Sequence, residues 1–184
     1  MLIYKFAYND VESKIKELEN KYNITLPESY RLFLNKYNGG NTPKTKYNGK
    51  NFTADIRGFY GFGSFEFSFD KVDLSNWVSN DYLPFAVDSF GNTFIISIKE
   101  KTCGYIYFLD HEQKDKITFI CNDFMTFIEE SISEEIPTPR TVEQREAELI
   151  SKGRGHIIND ELRKLWQDEI NKYSNREQEL VTLK

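Results

Sequence analysis

The chain has 184 residues, which suits one folded domain with an appendage, and its 15% aromatic content means that large rings must fill much of the core. Its net charge of −5 argues against nucleic-acid binding, because neutralising phosphates requires a clustered excess of Lys and Arg. Residues 1–137 carry 15 basic and 20 acidic side chains, whereas residues 138–184 carry 9 of each. The acidic, ring-rich first part therefore favours a basic protein partner.

The cysteines and the lengths of the hydrophobic runs indicate the cellular compartment of the protein. Cys103 and Cys121 are the 2 cysteines of the chain and do not form a close pair. The sequence therefore predicts two buried thiols in a reducing compartment, rather than disulfides or a zinc knuckle. The first residues do not resemble a signal peptide, and no apolar run has the length of a membrane span. We expect a cytoplasmic protein that does not act on a membrane.

Two amphipathic helices are predicted near the start of the chain. Asn9 or Asp10 can cap the first helix. Pro27 suits the first turn of the second helix, where its missing N–H has no intrahelical partner, and Gly39 is expected to end that helix in a left-handed conformation. The predicted buried faces, at helical spacing, are Val11, Ile15, Leu18 and Tyr22 in the first helix and Tyr30, Phe33, Leu34 and Tyr37 in the second.

The next segment mixes loop and strand signals. Residues 41–50 are rich in Lys, Asn, Thr and Gly and predict a mobile surface loop. Alternating apolar residues at 55–59 and 65–69 predict short strands, and a brief helix at 74–78 would carry Trp77.

Stronger strand signals follow. Residues 85–88, 93–99 and 105–109 predict three strands joined by tight hairpin turns, and residues 117–121 add a fourth. Asn122 or Asp123 would then cap a helix that closes the body near Ile132. Helices combined with several antiparallel strands predict an α+β domain.

The chain changes character at Pro137-Thr138-Pro139, because each proline disfavours helix at the residue before it. We therefore divide the chain into a body, residues 1–136, and a helical C-terminal extension, residues 137–184. Thr141 and Gln144 form a capping-box pattern that opens one helix, to about Ser151, and Asn159 or Asp160 opens another. The second helix has an apolar stripe of Leu162, Leu165, Trp166, Ile170 and Tyr173. This stripe should dock on the body, bind the partner or pair two subunits in a homodimer.

Three segments carry a family resemblance. Residues 17–40 contain Leu-Pro-x-x-Tyr-x-x-Phe-Leu and end in Asn-Gly-Gly. Residues 83–92 read Leu-Pro-Phe-Ala-Val-Asp and close on Gly-Asn, and residues 104–112 read Gly-Tyr-Ile-Tyr-Phe-Leu-Asp-His-Glu. In this order they resemble the SUKH superfamily, the Smi/Knr-type proteins, over about residues 9–132. Phe90 departs from the pattern, because a small residue is expected before Gly91.

The resemblance implies a fold and a role. It implies an α+β domain with an antiparallel sheet flanked by helices, in a family that is not known to be catalytic. Bacterial members often act as immunity proteins that bind and neutralise a cognate toxin domain, and fungal relatives regulate the cell wall. It carries nothing over to the C-terminal extension.

The motifs that could suggest catalysis are better explained as structural features. Asp110-His111-Glu112 could hold a general base, but neighbouring strand residues point to opposite faces, so we expect a turn with solvated charges. The segment 153–156 contains two glycines but lacks the pattern of a phosphate-binding loop, and a turn between helices is expected. His111 and His156, the 2 histidines, lie far apart, and neither cysteine has a motif that predicts a base beside it. We predict no catalytic residue, cofactor or metal.

An acidic and aromatic segment is the remaining candidate for recognition of a partner. The alternative interpretation is that this segment is an ordinary solvated connection with Trp77 packed in the core. The predicted partner-binding residues are Asp55, Glu66, Asp70, Asp73, Trp77, Asp81, Tyr82, Asp110 and Glu112. The leading hypothesis is an immunity protein that sequesters a toxin domain, and a nuclease toxin would offer a basic groove as the target. The alternatives are a non-catalytic regulatory scaffold and a small hydrolase built from distant residues such as Asp88 and His111.

Overall fold

The computed structural model of the chain describes residues 1–113, 116–137, 139–174 and 177–183, without the side chains of residues 172–174. Thr138 of the expected linker and the side chain of Tyr173 lie outside the described residues. The chain forms two compact units. The body comprises Met1–Glu135 and Gln178–Lys184, and the helical unit comprises Ile136–Glu177.

The body is an antiparallel sheet with helices, so the predicted α+β class is confirmed. Its strands are β1 (Leu2–Lys5), β2 (Gly40–Asn48), β3 (Thr53–Phe59), β4 (Tyr82–Val87), β5 (Thr93–Ser97), β6 (Ile106–Leu109), β7 (Ile117–Cys121), β8 (Ser131–Ser133) and β9 (Glu179–Leu180). Its helices are α1 (Val11–Tyr22), α2 (Glu28–Tyr37), α3 (Ser75–Val78) and α4 (Phe124–Glu129). Among the described residues the strand order is β7-β6-β5-β4-β3-β2-β1-β9, and β8 pairs with β2.

The first two helices begin where the sequence predicts, and the second ends within a residue of its predicted end. The Asp10 carboxylate accepts a hydrogen bond from the Ser13 N–H and caps α1. Pro27 precedes α2, and Asn38 rather than Gly39 is the left-handed residue that ends it, with a φ of 52°. Gly39 follows with a φ of 72°. The predicted buried residues of both helices are buried, except Tyr22, which is partly exposed.

Aromatic rings from α2, α4 and the sheet form the core. The Phe124 ring of α4 lies 5.1 Å from the rings of both Tyr30 and Phe33 on α2. The Phe127 ring lies 5.1 Å from Phe85 on β4 in an edge-to-face arrangement. All five residues are essentially inaccessible to solvent. The high aromatic content of the sequence therefore serves mainly to fill one continuous core.

Two local predictions are wrong. Residues 41–50 do not form a loop, because Gly40–Asn48 is the strand β2, which pairs with β1, β3 and β8. Pro43, Thr45 and Tyr47 alternate inward along it, and the Thr45 hydroxyl bonds to the Ser133 hydroxyl at 2.8 Å. Residues 65–69 do not form a strand either. The Phe65 ring instead stacks on Phe6 at 4.3 Å.

The cysteine prediction holds for one of the two residues. Cys121 is buried, as expected, whereas Cys103 is exposed in the short turn before β6. Both thiols are free.

The end of the chain returns to the body. β9 pairs with β1, and Val181 is buried in the core cluster. The Tyr37 hydroxyl accepts a hydrogen bond from the Thr182 N–H at 2.9 Å, and the Val181 N–H donates to the Met1 carbonyl. The domain boundary at residue 136 stays a prediction, and the last residues pack with the sheet.

The helical unit contains α5 (Val142–Ser151) and α6 (Asp160–Ser174). Thr141 and Gln144 form the predicted capping box at the start of α5. The Asn159 side chain accepts from the Leu162 N–H at the start of α6. In the part of the chain that the structure describes, no helix is long and apolar enough to cross a bilayer.

Candidate partner-binding surface

The turn between β4 and β5 is held by a network of hydrogen bonds around Asp88. Its Asp88 carboxylate is buried and accepts from the backbone N–H groups of Phe90 and Asn92 and from the Asn92 side-chain amide. The Asp88 N–H in turn donates to the Asn92 carbonyl at 3.1 Å. Neighbouring segments hold the turn from both sides, because the Ser89 N–H donates to the Asp55 carboxylate of β3. The resemblance segment that ends in Asp and Gly-Asn is therefore a rigid turn.

The Asp110-His111-Glu112 segment forms a turn at the end of β6, as predicted. The Asn92 side-chain oxygen accepts from the His111 N–H at 3.0 Å and lies 2.8 Å from the Nδ1 atom of the same ring. The Asp110 carboxylate accepts from the Glu112 N–H and from the Gln113 side-chain amide. The contacts between His111 and Asn92 tie the end of β6 to the β4–β5 turn, and the Asp110 carboxylate stabilises its own turn. The side chains of Asp110 and His111 therefore have structural uses.

Three of the predicted partner-binding carboxylates meet at this end of the sheet. Asp55 lies beside the β4–β5 turn, and Asp110 and Glu112 lie in the turn that Asn92 holds against it. Phe90 projects from the turn with 75% of its surface exposed, which makes it the most exposed large hydrophobic residue of the described chain. A groove of about 400 Å³ adjoins it and is lined by Lys46, Phe52, Thr53, Ala54, Asp55, Asp88, Phe90, Asn92 and Phe108. We call this region the hairpin end.

A second group of predicted residues lies at the opposite end of the strands. Trp77 in α3 is half-buried against the core, Tyr82 is the first residue of β4, and Asp81 precedes it. The Asp81 carboxylate lies 3.4 Å from the Lys99 ammonium. The Tyr82 ring contacts the Tyr107 ring edge-to-face at 5.4 Å. This position separates the group from the hairpin end.

The remaining three predicted residues lie elsewhere on the body. Asp70 lines a groove of about 330 Å³ beside α1, together with Lys14 and Lys21. The pKa of Asp73 is lowered by hydrogen bonds from Ser75, whose backbone N–H donates to the carboxylate. Glu66 pairs with Arg57. The nine predicted residues therefore occupy several separate surfaces, and the structure does not bring them into one site.

Sequence reasoning missed two exposed aromatic features. Phe90 was visible only as a departure from the family pattern. The second feature is a row of rings on the outer face of the sheet, where Tyr107 lies 5.4 Å from Tyr82 and 5.6 Å from Phe119, and Phe119 lies 5.8 Å from Tyr105. The period of two in β6 and β7 could have indicated that these side chains share a face.

The cysteines lack the environment of a nucleophile. Burial raises the pKa of the Cys121 thiol to about 11 and raises the pKa of the Cys103 thiol as well. Cys121 borders a groove of about 390 Å³ that Tyr47 and Glu130 also line. There the Tyr47 hydroxyl donates to the Glu130 carboxylate at 2.5 Å, and burial followed by this bond raises the pKa of Tyr47. Within the described ranges, no group of three or more His, Cys, Asp or Glu side chains could hold a metal ion.

Comparison with known proteins gives one match. The model of the SMI1 / KNR4 family (SUKH-1) matches residues 12–130, which is most of the body. The match includes all three segments that carry the resemblance and ends before the helical unit. No curated protein and no solved structure matches the chain.

Proposed function

The chain belongs to the SMI1 / KNR4 family (SUKH-1), and from this membership we propose that it is an immunity-type protein that binds and neutralises a cognate secreted toxin domain. Family membership supports an immunity-like or a cell-wall-regulator-like role, and the match over residues 12–130 is the observation that carries the proposal. Neutralisation would occur by covering the active site of the toxin. The protein would act in the cytoplasm and without chemistry of its own.

Charge supports a basic partner. The net charge of −5 is carried by residues 1–137, and an acidic surface accelerates encounter with a basic one. A nuclease toxin has a basic groove for nucleic acid, which makes it a suitable target for an acidic inhibitor. The same charge would disfavour nucleic acid as a direct partner.

The hairpin end is the surface that we propose for toxin binding. Hot spots in protein interfaces are large, well-positioned side chains surrounded by polar groups. The backbone of Phe90 is held by a rigid turn, so little backbone entropy is lost when the residue is buried by a partner. Asp55 lines the same groove as Phe90, and Asp110 and Glu112 lie in the adjoining turn after β6. These carboxylates would contact basic side chains, with Lys46 as the opposing charge in the groove.

A binding measurement tests the proposal. The probe is the C-terminal toxin domain encoded beside the gene of this chain, carrying an inactivating substitution, and isothermal titration calorimetry at low and high salt is the measurement. We expect a stoichiometric complex whose affinity falls as salt rises, because part of the attraction is electrostatic. A lack of binding at low salt would contradict the proposed function.

Matched variants locate the surface. Phe90→Ala and Asp55→Asn should weaken toxin binding at least tenfold if the hairpin end is buried. Leu32→Ala is the control, because Leu32 is also an exposed hydrophobic residue, at 48%, but lies on α2. Unchanged binding by both hairpin-end variants would move the interface to another predicted group, such as Trp77, Asp81 and Tyr82.

The helical unit favours one alternative, a regulatory scaffold of the same fold. This unit lies outside the family match, so it is an addition that a scaffold would use to dock a second protein. Genomic context separates the two roles. A neighbouring gene for a large secreted protein favours immunity, and housekeeping neighbours favour the scaffold.

A further inference from the structure

The strand β7 is at one end of the sheet. It pairs with β6 through residues 117–121, and across the described residues it has no second strand partner. The backbone N–H and C=O groups on its outer side therefore have no strand partner among the described residues. An open edge of this kind can accept another strand.

The sequence of β7 lacks the usual protection of an edge strand. Such strands are commonly guarded by charged residues or proline, and Ile-Thr-Phe-Ile-Cys contains neither. One protective feature is present, a β-bulge at Ile120. Phe119 pairs with Tyr107 and Cys121 pairs with Ile106, so Ile120 is an extra residue without a partner on β6. The regular part of the edge is therefore Ile117–Phe119.

The exposed side chains of this regular part are apolar. Ile117 and Phe119 are 43% and 49% exposed, and the period of two places them on the same face of the sheet. Phe119 is the last member of the aromatic row that begins at Tyr82 and passes through Tyr107. The row stops at the edge of the sheet with its most exposed ring.

A second copy of the same strand fits this edge. We propose that two copies of the chain pair through β7, antiparallel, around a twofold axis at Thr118. In this register Ile117 lies opposite Phe119 of the second copy, and the same contact occurs twice because the interface is isologous. Thr118 lies opposite Thr118 of the second copy. Aromatic and β-branched residues are favourable cross-strand pairs, so each exposed apolar side chain gains an apolar neighbour.

Charge favours a second copy over the toxin at this position. A basic partner is steered toward carboxylates, and β7 has no charged residue to attract it. An uncharged, apolar strand is best matched by another uncharged, apolar strand, and β7 is itself one. The pairing does not depend on the proposed function.

Sedimentation velocity of the full chain over a range of concentrations tests the pairing. We expect a concentration-dependent monomer–dimer equilibrium. Phe119→Lys should weaken the dimer at least tenfold, because it places an ammonium opposite Ile117 in both contacts. Ile132→Lys is the matched control, since it adds the same charge at an exposed strand residue away from β7, and it should leave the equilibrium unchanged.

Cross-linking supplies a second readout that does not depend on a disruptive variant. Thr118→Cys in a Cys103→Ser background should give a covalent dimer with a short bismaleimide, because the two introduced thiols meet at the axis. Ile132→Cys in the same background should not. A monomer at every concentration would overturn the pairing. So would a dimer that survives Phe119→Lys and does not cross-link through Thr118→Cys, which would place the contact on another surface such as the helical unit.

Discussion

The body and the helical unit are stabilised by different interactions. In the body, the rings of Phe33, Phe59 and Phe124 are inaccessible to solvent, and the Phe33 ring lies 5.0 Å from Phe59 and 5.1 Å from Phe124. In the helical unit, no described side chain belongs to the buried core. Its two helices are instead joined by ion pairs, Arg145 with Glu169 at 2.7 Å and Arg163 with Glu146 at 2.6 Å.

This difference predicts how each part should respond to salt and to pH. Burial of apolar surface is not weakened by charge screening, whereas exposed ion pairs are weakened by salt and by protonation. The body should therefore keep its structure over a wide range of ionic conditions. The helical unit should loosen first, which suits a segment that completes its packing on a partner.

The largest expected effect is in the aromatic core. Phe124→Ala should lower the free energy of unfolding by about 3–5 kcal/mol, because it leaves a cavity among Tyr30, Phe33 and Phe85. Urea denaturation followed by near-ultraviolet circular dichroism measures it. Phe90→Ala is the control and should change stability by less than about 0.5 kcal/mol, because the side chain is exposed. Equal losses would contradict the description of the core.

The next largest effect distinguishes the contribution of the helical unit to the stability of the body from that of β9, the strand that follows it. A chain that ends at Glu135 loses β9 and buried Val181, and its body should lose about 2–4 kcal/mol of stability. A chain in which a flexible linker replaces residues 136–177 keeps these contacts and should be nearly as stable as the full chain. Urea midpoints of the two variants measure the difference. If both lose stability equally, the body depends on the helical unit.

Two buried tyrosines give a smaller and opposite pair of effects. Among the described side chains, the Tyr30 hydroxyl is buried without a hydrogen-bond partner, so Tyr30→Phe should raise the free energy of unfolding by about 1 kcal/mol. The Tyr47 hydroxyl bonds to Glu130, so Tyr47→Phe should lower it by about 1 kcal/mol. Urea denaturation measures both. A loss of stability in Tyr30→Phe would mean that its hydroxyl has a partner.

The smallest effect concerns pH in the helical unit. The hydrogen bond from Arg145 lowers the pKa of Glu169 below its ordinary value of 4.5. The stabilising contribution of the Arg145–Glu169 pair is therefore complete above pH 4.5, the ordinary pKa, and is lost as the pH falls through the lowered pKa of the folded state. Fluorescence of Trp166 in a Trp77→Phe variant should report loosening of α6 in this acid range. The change should become smaller in Glu169→Gln, and an unaltered titration in that variant would exclude the Arg145–Glu169 pair as its cause.

The sequence was sufficient where the signals are local. Caps and prolines with hydrophobic periods predicted α1 and α2, and short turns predicted the hairpins of β4, β5 and β6. β2 could not be predicted in this way, because two of its partners, β1 and β8, come from distant parts of the chain. Its inward residues, Pro43 and Thr45, are not typical of a strand core.

The candidate surface was less predictable than the fold for a related reason. Acidic residues can be read from the sequence, but which of them share a surface depends on where the strands end. Asp55 and Glu112 are far apart in sequence and meet at the hairpin end only because the β4–β5 turn contacts both β3 and the turn after β6. The exposure of Phe90 also follows from the turn, since Asp88 fills the interior of the turn and Phe90 projects outward.

The proposal that this chain works by occupying the surface of a toxin is tested most directly by the activity of that toxin. The toxin domain encoded beside its gene would be titrated with the purified chain at low salt while its enzymatic activity is measured. We predict a linear loss of activity that is complete at one chain per toxin domain, and weaker inhibition by Phe90→Ala. Full toxin activity in the presence of excess chain would contradict the account.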